Sequence, residues 1–344
     1  MLTMKDIAAE VGVSVSSVSL VLSGNGAGRV NAQVAERIRA VADELGYVPN
    51  QLARSLKTKQ TDTIGILADR VATVPFSGQM IAGAQRAARS DQFMLLMMDT
   101  DGDAAAAAPA VRDLLQRNIT AMIIASTFHT VVEMPAIPST MPLVLLDAVP
   151  PAGVDRPVDY TVPDEENGAY MVTSLLIEAG HTRVGFIDVP QFPIASRLRG
   201  RGYERALADG GLPFDPSLVA RAVDPSTASA GEPIRRLLAL EDRPTAVFCF
   251  SDQLAMGVYN TAARMGLSIP DDLSVAGFDN QAFVAEALEP SLTTVQLPHR
   301  KMGEWAVRRA VLRVRDGYRD LPPEGYLMPC PPVVRESIAP PPTN

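Results

Sequence analysis

The sequence predicts an all-α helix-turn-helix head joined to an α/β body of two doubly wound parallel-sheet lobes. Three observations predict it. Residues 1–46 hold short apolar-periodic segments separated by helix-capping and helix-stopping residues. From Thr63 onward, continuous apolar runs alternate with amphipathic helical stretches, the mark of parallel strands covered on both faces. That series then recurs: Ile64 corresponds to Val184, Met122 to Val247 and Leu143 to Leu273, at spacings of roughly 120 to 130 residues.

In the head, Thr3 and Asp6 have the spacing of a capping box, with an acid in place of the usual Glu, and start a helix through Ala9 or Glu10. Gly12 ends it, Val13 plugs the turn, and Ser14 caps a second helix from Val15 to Leu22. Asn31 caps a third, whose Val34, Ile38, Val41, Ala42 and Leu45 form an apolar stripe stopped at Gly46. Three short helices with a tight turn between the first two make a unit that sets the start of its second helix in a DNA major groove. Serines crowd that helix (Ser16, Ser17 and Ser19), and short hydroxyls reach phosphates and base edges. A plain three-helix cap with a solvated serine face is the alternative.

Residues 47–60, "YVPNQLARSLKTKQ", follow as a linker. Asn50 caps barely two turns, too short to hold as an isolated helix in water. Leu52 and Leu56 make a small apolar edge beside Arg54, Lys57 and Lys59, suited to a wedge in a minor groove. A linker docking Leu56 on the body is the other reading.

In the body, "TIGILAD", "FMLLMMD", "AMIIAST" and "PLVLLDA" read as strands of one lobe. "RVGFIDV", "AVFCFSD" and "LSVAGFD" read as strands of the other. Ligands collect beyond the carboxyl ends of such strands, and these ends are polar: Asp69, Asp99, Ser126, Asp147, Asp188, Ser251, Asp252 and Asp279. Two lobes facing one another describe a clamshell around a small hydrophilic molecule. Capping of the following helices competes with that role for each acid, most of all for Asp252. The chain is expected to cross between lobes near Val162, Leu292 and Tyr326. That assigns 61–161 and 292–325 to an N-lobe, and 162–291 and 326–340 to a C-lobe, within a core of 61–344.

Composition bounds the function. At 344 residues, 47% apolar and 20% charged, the chain is an ordinary globular protein of two or three units. Apolar runs such as "AMIIA" are far short of a membrane span, and no secretion signal is read at the start. Cys249 and Cys330 offer neither metal-ligand spacing nor a disulfide framework, and Cys249 reads as a buried thiol. No cofactor or metal, no membrane contact and a cytoplasmic location are expected. Net charge is −8, yet residues 1–60 carry seven Lys/Arg against five acids. A basic head on an acidic body leaves the head to meet phosphate.

The stretch "MKDIAAEVGVSVSSVSLVLSG" with "VNAQVAERIRAVADELGYVPNQLARSLK" resembles the head of the lac repressor (LacI/GalR) family of bacterial transcription regulators. The resemblance runs along essentially the whole chain. It is close again in "RPTAVFCFSDQLAMGVYNTAARMGLSIPDDLSVAGFDN" and "EPSLTTVQLPHRKMGEWAVRRAV", and implies a periplasmic-binding-protein-like body. It implies base reading by Val15, Ser16 and Leu20, with Ser17 near phosphate. It makes Asn50 to Leu56, with Ala53 between them, the hinge helix of a palindromic double-stranded operator complex. Leu20 departs from the family's usual polar reader: it suits a thymine methyl but makes no bidentate bond to guanine. Lys5, Arg54, Lys57 and Lys59 supply phosphate contacts. In the body the resemblance implies Arg199, in "RLRGRGY", and Asp279, in "GFDN", as the main effector-binding positions, ahead of Arg197 and Arg201. Phe76, Asp147 and Ser251 are of second rank, and Ser251 departs from the common asparagine.

The expected protein is a repressor whose operator affinity answers to a small polar effector, a sugar or polyol. The alternative is a nucleobase, nucleoside or phosphosugar acting as co-repressor. A homodimer is expected, because no heptad-bearing C-terminal helix follows the last strand. Two rivals fall away. His129, in a polar loop, His181 and His299 are scattered, and no catalytic string occurs, which argues against an enzyme. A sugar-binding receptor has no use for residues 1–60.

Overall fold

A computed structural model describes residues 2–24, 26–47, 61–74, 76–316 and 321–342. The chain divides into two units, Met1–Thr61 and Asp62–Asn344.

In the first unit, α1 (Met4–Val11) begins at the expected box: the Thr3 N–H and Oγ1 both donate to Asp6 Oδ2, at 2.7 and 2.8 Å. Gly12, at φ 76°, ends it in the left-handed conformation that glycine alone adopts freely. α2 (Val15–Leu22) is capped by Ser14, whose Oγ accepts from the Ser17 N–H at 3.1 Å. α3 (Ala32–Glu44) is capped by Asn31 through the Gln33 N–H, at 2.9 Å. Ile7, Val18 and Ile38 are wholly buried at the centre of the three-helix core. The α3 stripe differs from expectation: Ala35, Ile38 and Ala42 face inward, Val34 and Val41 are half-buried, and Leu45 is exposed.

The second unit opens with β1 (Thr63–Asp69), α4 (Gly78–Ser90), β2 (Met94–Asp99), α5 (Ala104–Gln116), β3 (Ala121–Val131), β4 (Leu143–Val149) and β5 (Asp159–Pro163). It continues through α6 (Glu165–Glu178), β6 (Val184–Asp188), α7 (Pro193–Asp209), β7 (Val219–Arg221), α8 (Gly231–Leu238), β8 (Ala246–Cys249), α9 (Asp252–Arg264), β9 (Ser274–Ala276) and α10 (Ala282–Ala285). β10 (Thr294–Val295), α11 (His299–Asp316), β11 (Gly325–Met328) and β12 (Pro332–Val333) complete it. One sheet has the order β11-β5-β4-β3-β1-β2 and the other β7-β6-β8-β9, with parallel neighbours throughout. β10 and β12 pair antiparallel.

Three passages join the lobes; the first follows β5 as expected near Val162, and the other two fall later in the chain than the sequence suggests. Leu292, Val295 and Leu297 are buried in the second-lobe core, while Met302 belongs to the first. Met328 is in the first-lobe core and Cys330 in the second. Residues 292–297 therefore belong with the second lobe, because their apolar side chains pack there and β10 pairs with β12. β11, through Met328, belongs to the first-lobe sheet beside β5. His129 also moves: it lies within β3, which resumes pairing with β4 at Thr130 and Val131 after a shift of register.

Glycines set how closely the helices approach. A Cβ on Gly83 of α4 would lie 1.9 Å from the Arg300 carbonyl oxygen, and one on Gly303 of α11 2.0 Å from that of Met80. A Cβ on Gly202 of α7 would lie 2.2 Å from the Glu166 carbonyl oxygen of α6. α6 and α7 thus meet backbone to backbone. That contact fixes the side chains each sends toward the first lobe.

Candidate functional site

A cavity of ≈ 60 Å³ lies between the lobes and is lined by Phe76, Asp147, Arg199, Ser251 and Asp279, all five of the body residues singled out above. Glu165, His129 and His299 also line it. Helical periodicity sorts the three arginines of "RLRGRGY" on α7: Arg199 is buried, whereas Arg197 and Arg201 face solvent.

Arg199 is held on every side. Its Nε donates to Glu165 Oε2 at 2.9 Å, and its Nη1 donates to the Phe250 carbonyl. Asp279 Oδ1 lies 3.8 Å from Nη1. The guanidinium sits between the rings of Phe278 and Phe250, 3.8 and 4.1 Å from their centroids. Planar delocalised charge suits that sandwich better than an ammonium would. Glu165 is the first residue of α6, where the helix dipole favours a carboxylate.

Three carboxyl groups therefore share one guanidinium. Burial, then the neighbouring Glu165 charge, pushes the Asp147 carboxyl well above the usual range. Burial likewise raises Asp279 to about 7, against the opposing pull of Arg199 and a 2.9 Å hydrogen bond from Gln281 Nε2. The histidines respond in the other direction. Burial lowers His299 to about 4 and also lowers His129. Neutral His299 donates from Nδ1 to the Phe76 carbonyl at 3.2 Å, which leaves Nε2 facing Asp147 Oδ2 at 3.9 Å. Its ring stacks on Phe76, with centroids 5.8 Å apart and planes at 23°.

Two buried polar atoms of the site have no hydrogen-bond partner among the described residues, Asp147 Oδ1 and His129 Nδ1. Buried polar groups are nearly always paired, so the two unpaired ones mark this small cavity as the candidate ligand site. The backbone is strained at the same place. Asp147 has φ 58° and Asp279 φ 116°, the second in a region that L-residues seldom enter.

Other strand-end acids turn out to brace loops. Asp99 accepts from the N–H groups of Arg70, Ala72 and Asp101. Asp252, expected to cap α9, instead accepts from the Gln281 N–H at 2.7 Å and from Thr294 Oγ1. Ser251 is the cap: its Oγ accepts from the Leu254 N–H at 3.2 Å and donates to the Pro225 carbonyl at 3.0 Å.

On the head, Lys5, Val15 and Ser16 are exposed, and Ser17 and Leu20 are half-buried. Asn50, Ala53, Arg54, Leu56, Lys57 and Lys59 lie outside the described residues, as does almost all of the 47–60 linker.

Sequence reading missed Glu165, and it passed over His129 and His299 as scattered. Glu165 carried a signal: it follows β5 at once and opens the next helix, the position where strand-end chemistry gathers. The histidines carried none, because only the lobe-to-lobe fold brings residues 170 positions apart to one cavity.

A three-helix head of helix-turn-helix type and a two-lobed α/β body around a polar cavity define a ligand-responsive DNA-binding regulator. The family of bacterial regulatory proteins, lacI family, matches residues 3–50, and the periplasmic binding protein-like domain matches residues 173–338. The HTH-type transcriptional repressor PurR of Photobacterium profundum is 31% identical, covering 92% of this chain and 93% of its own length. The ribose operon repressor of Haemophilus influenzae is 32% identical, covering 98% and 99%. Among solved structures, the Lac repressor bound to ONPG in the repressed state matches with TM-score 0.78 and 26% identity, covering 98% of this chain and 99% of that one. The CelR–cellobiose complex matches with TM-score 0.66 and 27% identity, covering 98% and 100%. The chain belongs to the lacI family. It is a DNA-binding transcriptional regulator and not an enzyme.

Proposed function

We propose that the chain acts in the cytoplasm as a homodimeric repressor of a palindromic operator, released or retained by a sugar or polyol held between the lobes. One observation carries the effector class: a clamped guanidinium, two strained aspartates and an unpaired Asp147 Oδ1 converge on one small buried space. Vicinal hydroxyls donate to carboxylates and accept from guanidinium, which is the pairing that this set offers. The relatives support the class, since one is named a ribose operon repressor and a solved neighbour holds cellobiose. At ≈ 60 Å³ the space takes a few waters, so a sugar enters only as the lobes part. That motion supplies the allosteric step: it changes the spacing of the two heads in the dimer, with a coupling of ~1–3 kcal/mol typical of such linkage.

A second reading, a nucleobase or nucleoside, is favoured by the aromatic run beside the cavity. Phe128 lies 6.0 Å from Phe76 and 4.1 Å from Phe192, and Phe192 lies 6.1 Å from Phe250. Thermal-shift screening of the intact protein against pentoses, hexoses, disaccharides, polyols and nucleosides separates the two. Stabilisation by sugars or polyols supports the first, and stabilisation by nucleosides alone replaces it with the second. For the operator, Leu56→Ala should lose specific affinity and keep most non-specific affinity. Unchanged specific binding refutes the wedge.

A further inference from the structure

The second lobe carries another depression, of ≈ 650 Å³, that shares no lining residue with the inter-lobe cavity. It lies where the outer face of α7 meets β7, the edge strand of the second sheet. Its volume falls within the range of small-molecule pockets. Four arginines line it: Arg197 and Arg201 from α7, Arg221 from β7 and Arg236 from α8. All four are exposed, and the opposing acids in the lining are Asp188 and Glu204. None of the four guanidinium groups has a hydrogen bond or an ion pair among the described residues. The other arginines of α7 are satisfied: Arg199 binds Glu165, and Arg205 pairs with Glu166 at 3.1 Å over the ring of Tyr170. The unpaired cations thus converge on the side of α7 that faces the depression.

Two further observations point to a ligand. Asp188 is 9% exposed and accepts from Ser196 Oγ at 2.8 Å, yet its Oδ1 has no hydrogen-bond partner among the described residues, although Arg221 is its neighbour in the strand register. A buried carboxylate oxygen left so, in the wall of a basic depression, calls for a donor from outside. Gly200 lines the same place in the middle of α7, and a Cβ built on it meets nothing within 4 Å. Packing does not require that glycine, which weakens the helix; its missing side chain leaves room at the pocket floor. At the mouth, Phe214 is 47% exposed, and Tyr203 holds it edge-on with ring centroids 6.4 Å apart.

We propose that this depression is a second ligand site, for a phosphate monoester on a hydroxylated carrier. The arginines take the phosphate, Asp188 takes a carrier hydroxyl and Phe214 covers the carrier's flat face. A sugar phosphate and a nucleotide share that chemistry.

Calorimetric titration of the intact protein with ribose 5-phosphate, adenosine monophosphate and inorganic phosphate tests the site. At least one ester should bind, and it should bind at least about tenfold more tightly than inorganic phosphate. Arg201→Ser with Arg236→Ser, both surface changes, should weaken that ester at least about tenfold. Asp279→Asn, an isosteric change in the inter-lobe cavity, should leave it within about twofold. Loss in Phe214→Ser for adenosine monophosphate alone assigns the nucleotide; equal loss for both esters assigns the shared sugar. No binding by either ester, retention in the double variant, or loss in Asp279→Asn overturns the site. Inorganic phosphate binding as tightly as the esters overturns the organic carrier.

Discussion

Arg199 Nε and Glu165 Oε2 lie 2.9 Å apart, with side chains only 5% and 3% exposed, in a cavity that holds two more carboxyl groups. The guanidinium is the counter-charge for Glu165 and lies 3.8 Å from Asp279. Arg199→Ala should therefore lose the effector response and destabilise the body by about 3–5 kcal/mol, the usual result of orphaning a buried charge. Arg199→Lys should not restore the response, since a point charge can neither fork between Glu165 and the Phe250 carbonyl nor lie flat between two rings. Pairing Arg199→Met with Glu165→Gln should return most of the stability and none of the response. Denaturant unfolding and effector titration check the two halves separately. A stable Arg199→Ala with a normal response would place the effector elsewhere.

The cavity also predicts opposed pH dependences. Asp279 titrates near 7 in the folded chain against 3.8 ordinarily, so the folded state binds more protons between those values. Its contribution to stability therefore falls as pH rises through that window. His299, lowered from 6.5 to about 4, leaves the folded state with fewer protons over that range, so its contribution rises with pH. The slopes partly cancel in the native protein, and single variants expose them. Asp279→Asn should gain on the parent as pH goes from about 5 to about 7.5, and His299→Gln should gain as pH falls over the same interval. Urea unfolding at several pH values measures both, and parallel curves for parent and variants would contradict the assignment.

Helix approach gives a third prediction. Gly202→Ala forces a methyl against the Glu166 carbonyl oxygen and the Tyr170 N–H, and Gly303→Ala forces one against the Met80 carbonyl oxygen. Backbone cannot rotate away as a flexible side chain would. Each change should cost about 1–3 kcal/mol or more. Gly202→Ala should weaken effector binding more than Gly303→Ala does, because it spreads the helices that carry Arg199 and Glu165. Equal effects of the two variants on effector affinity would remove α6–α7 spacing as the determinant.

Local chemistry made the head readable, down to the capping atoms of Thr3, Ser14 and Asn31, because caps are set within four residues of sequence. The parallel lobes were readable from apolar runs, and Arg199 from the resemblance that "RLRGRGY" bears to the family. What failed depended on contacts between distant segments. The passage after Leu292 moved because its apolar residues bury against the second lobe, a choice the residue types do not reveal. Asp252 looked like a cap and proved to be a brace for the Asp279 loop, since its acceptors meet Gln281 and Thr294, 29 and 42 positions away. His129 and His299 joined the cavity for the same reason.

The head allows affinity, specificity and folding to be separated by three exposed side chains. Ser14 Oγ caps α2 and lies 3.0 Å from Ser17 Oγ, so Ser14→Ala removes the first-turn anchor of the helix that presents Val15 and Ser16. That should cost about 1 kcal/mol of stability and weaken cognate and scrambled duplexes together. Lys5 is exposed on α1, and its amine is the proposed phosphate contact. Lys5→Ala should weaken all sequences equally and reduce the slope of log affinity against log salt by about 1. The Ser16 hydroxyl, exposed at the start of α2, makes no hydrogen bond among the described residues. Ser16→Ala should therefore leave folding and scrambled-duplex affinity untouched and weaken the cognate duplex alone. Fluorescence anisotropy across a salt series, with thermal unfolding of each variant, distinguishes the three. If Lys5→Ala keeps the parent's salt slope, or Ser16→Ala weakens both duplexes alike, α2 does not enter the groove in the manner proposed.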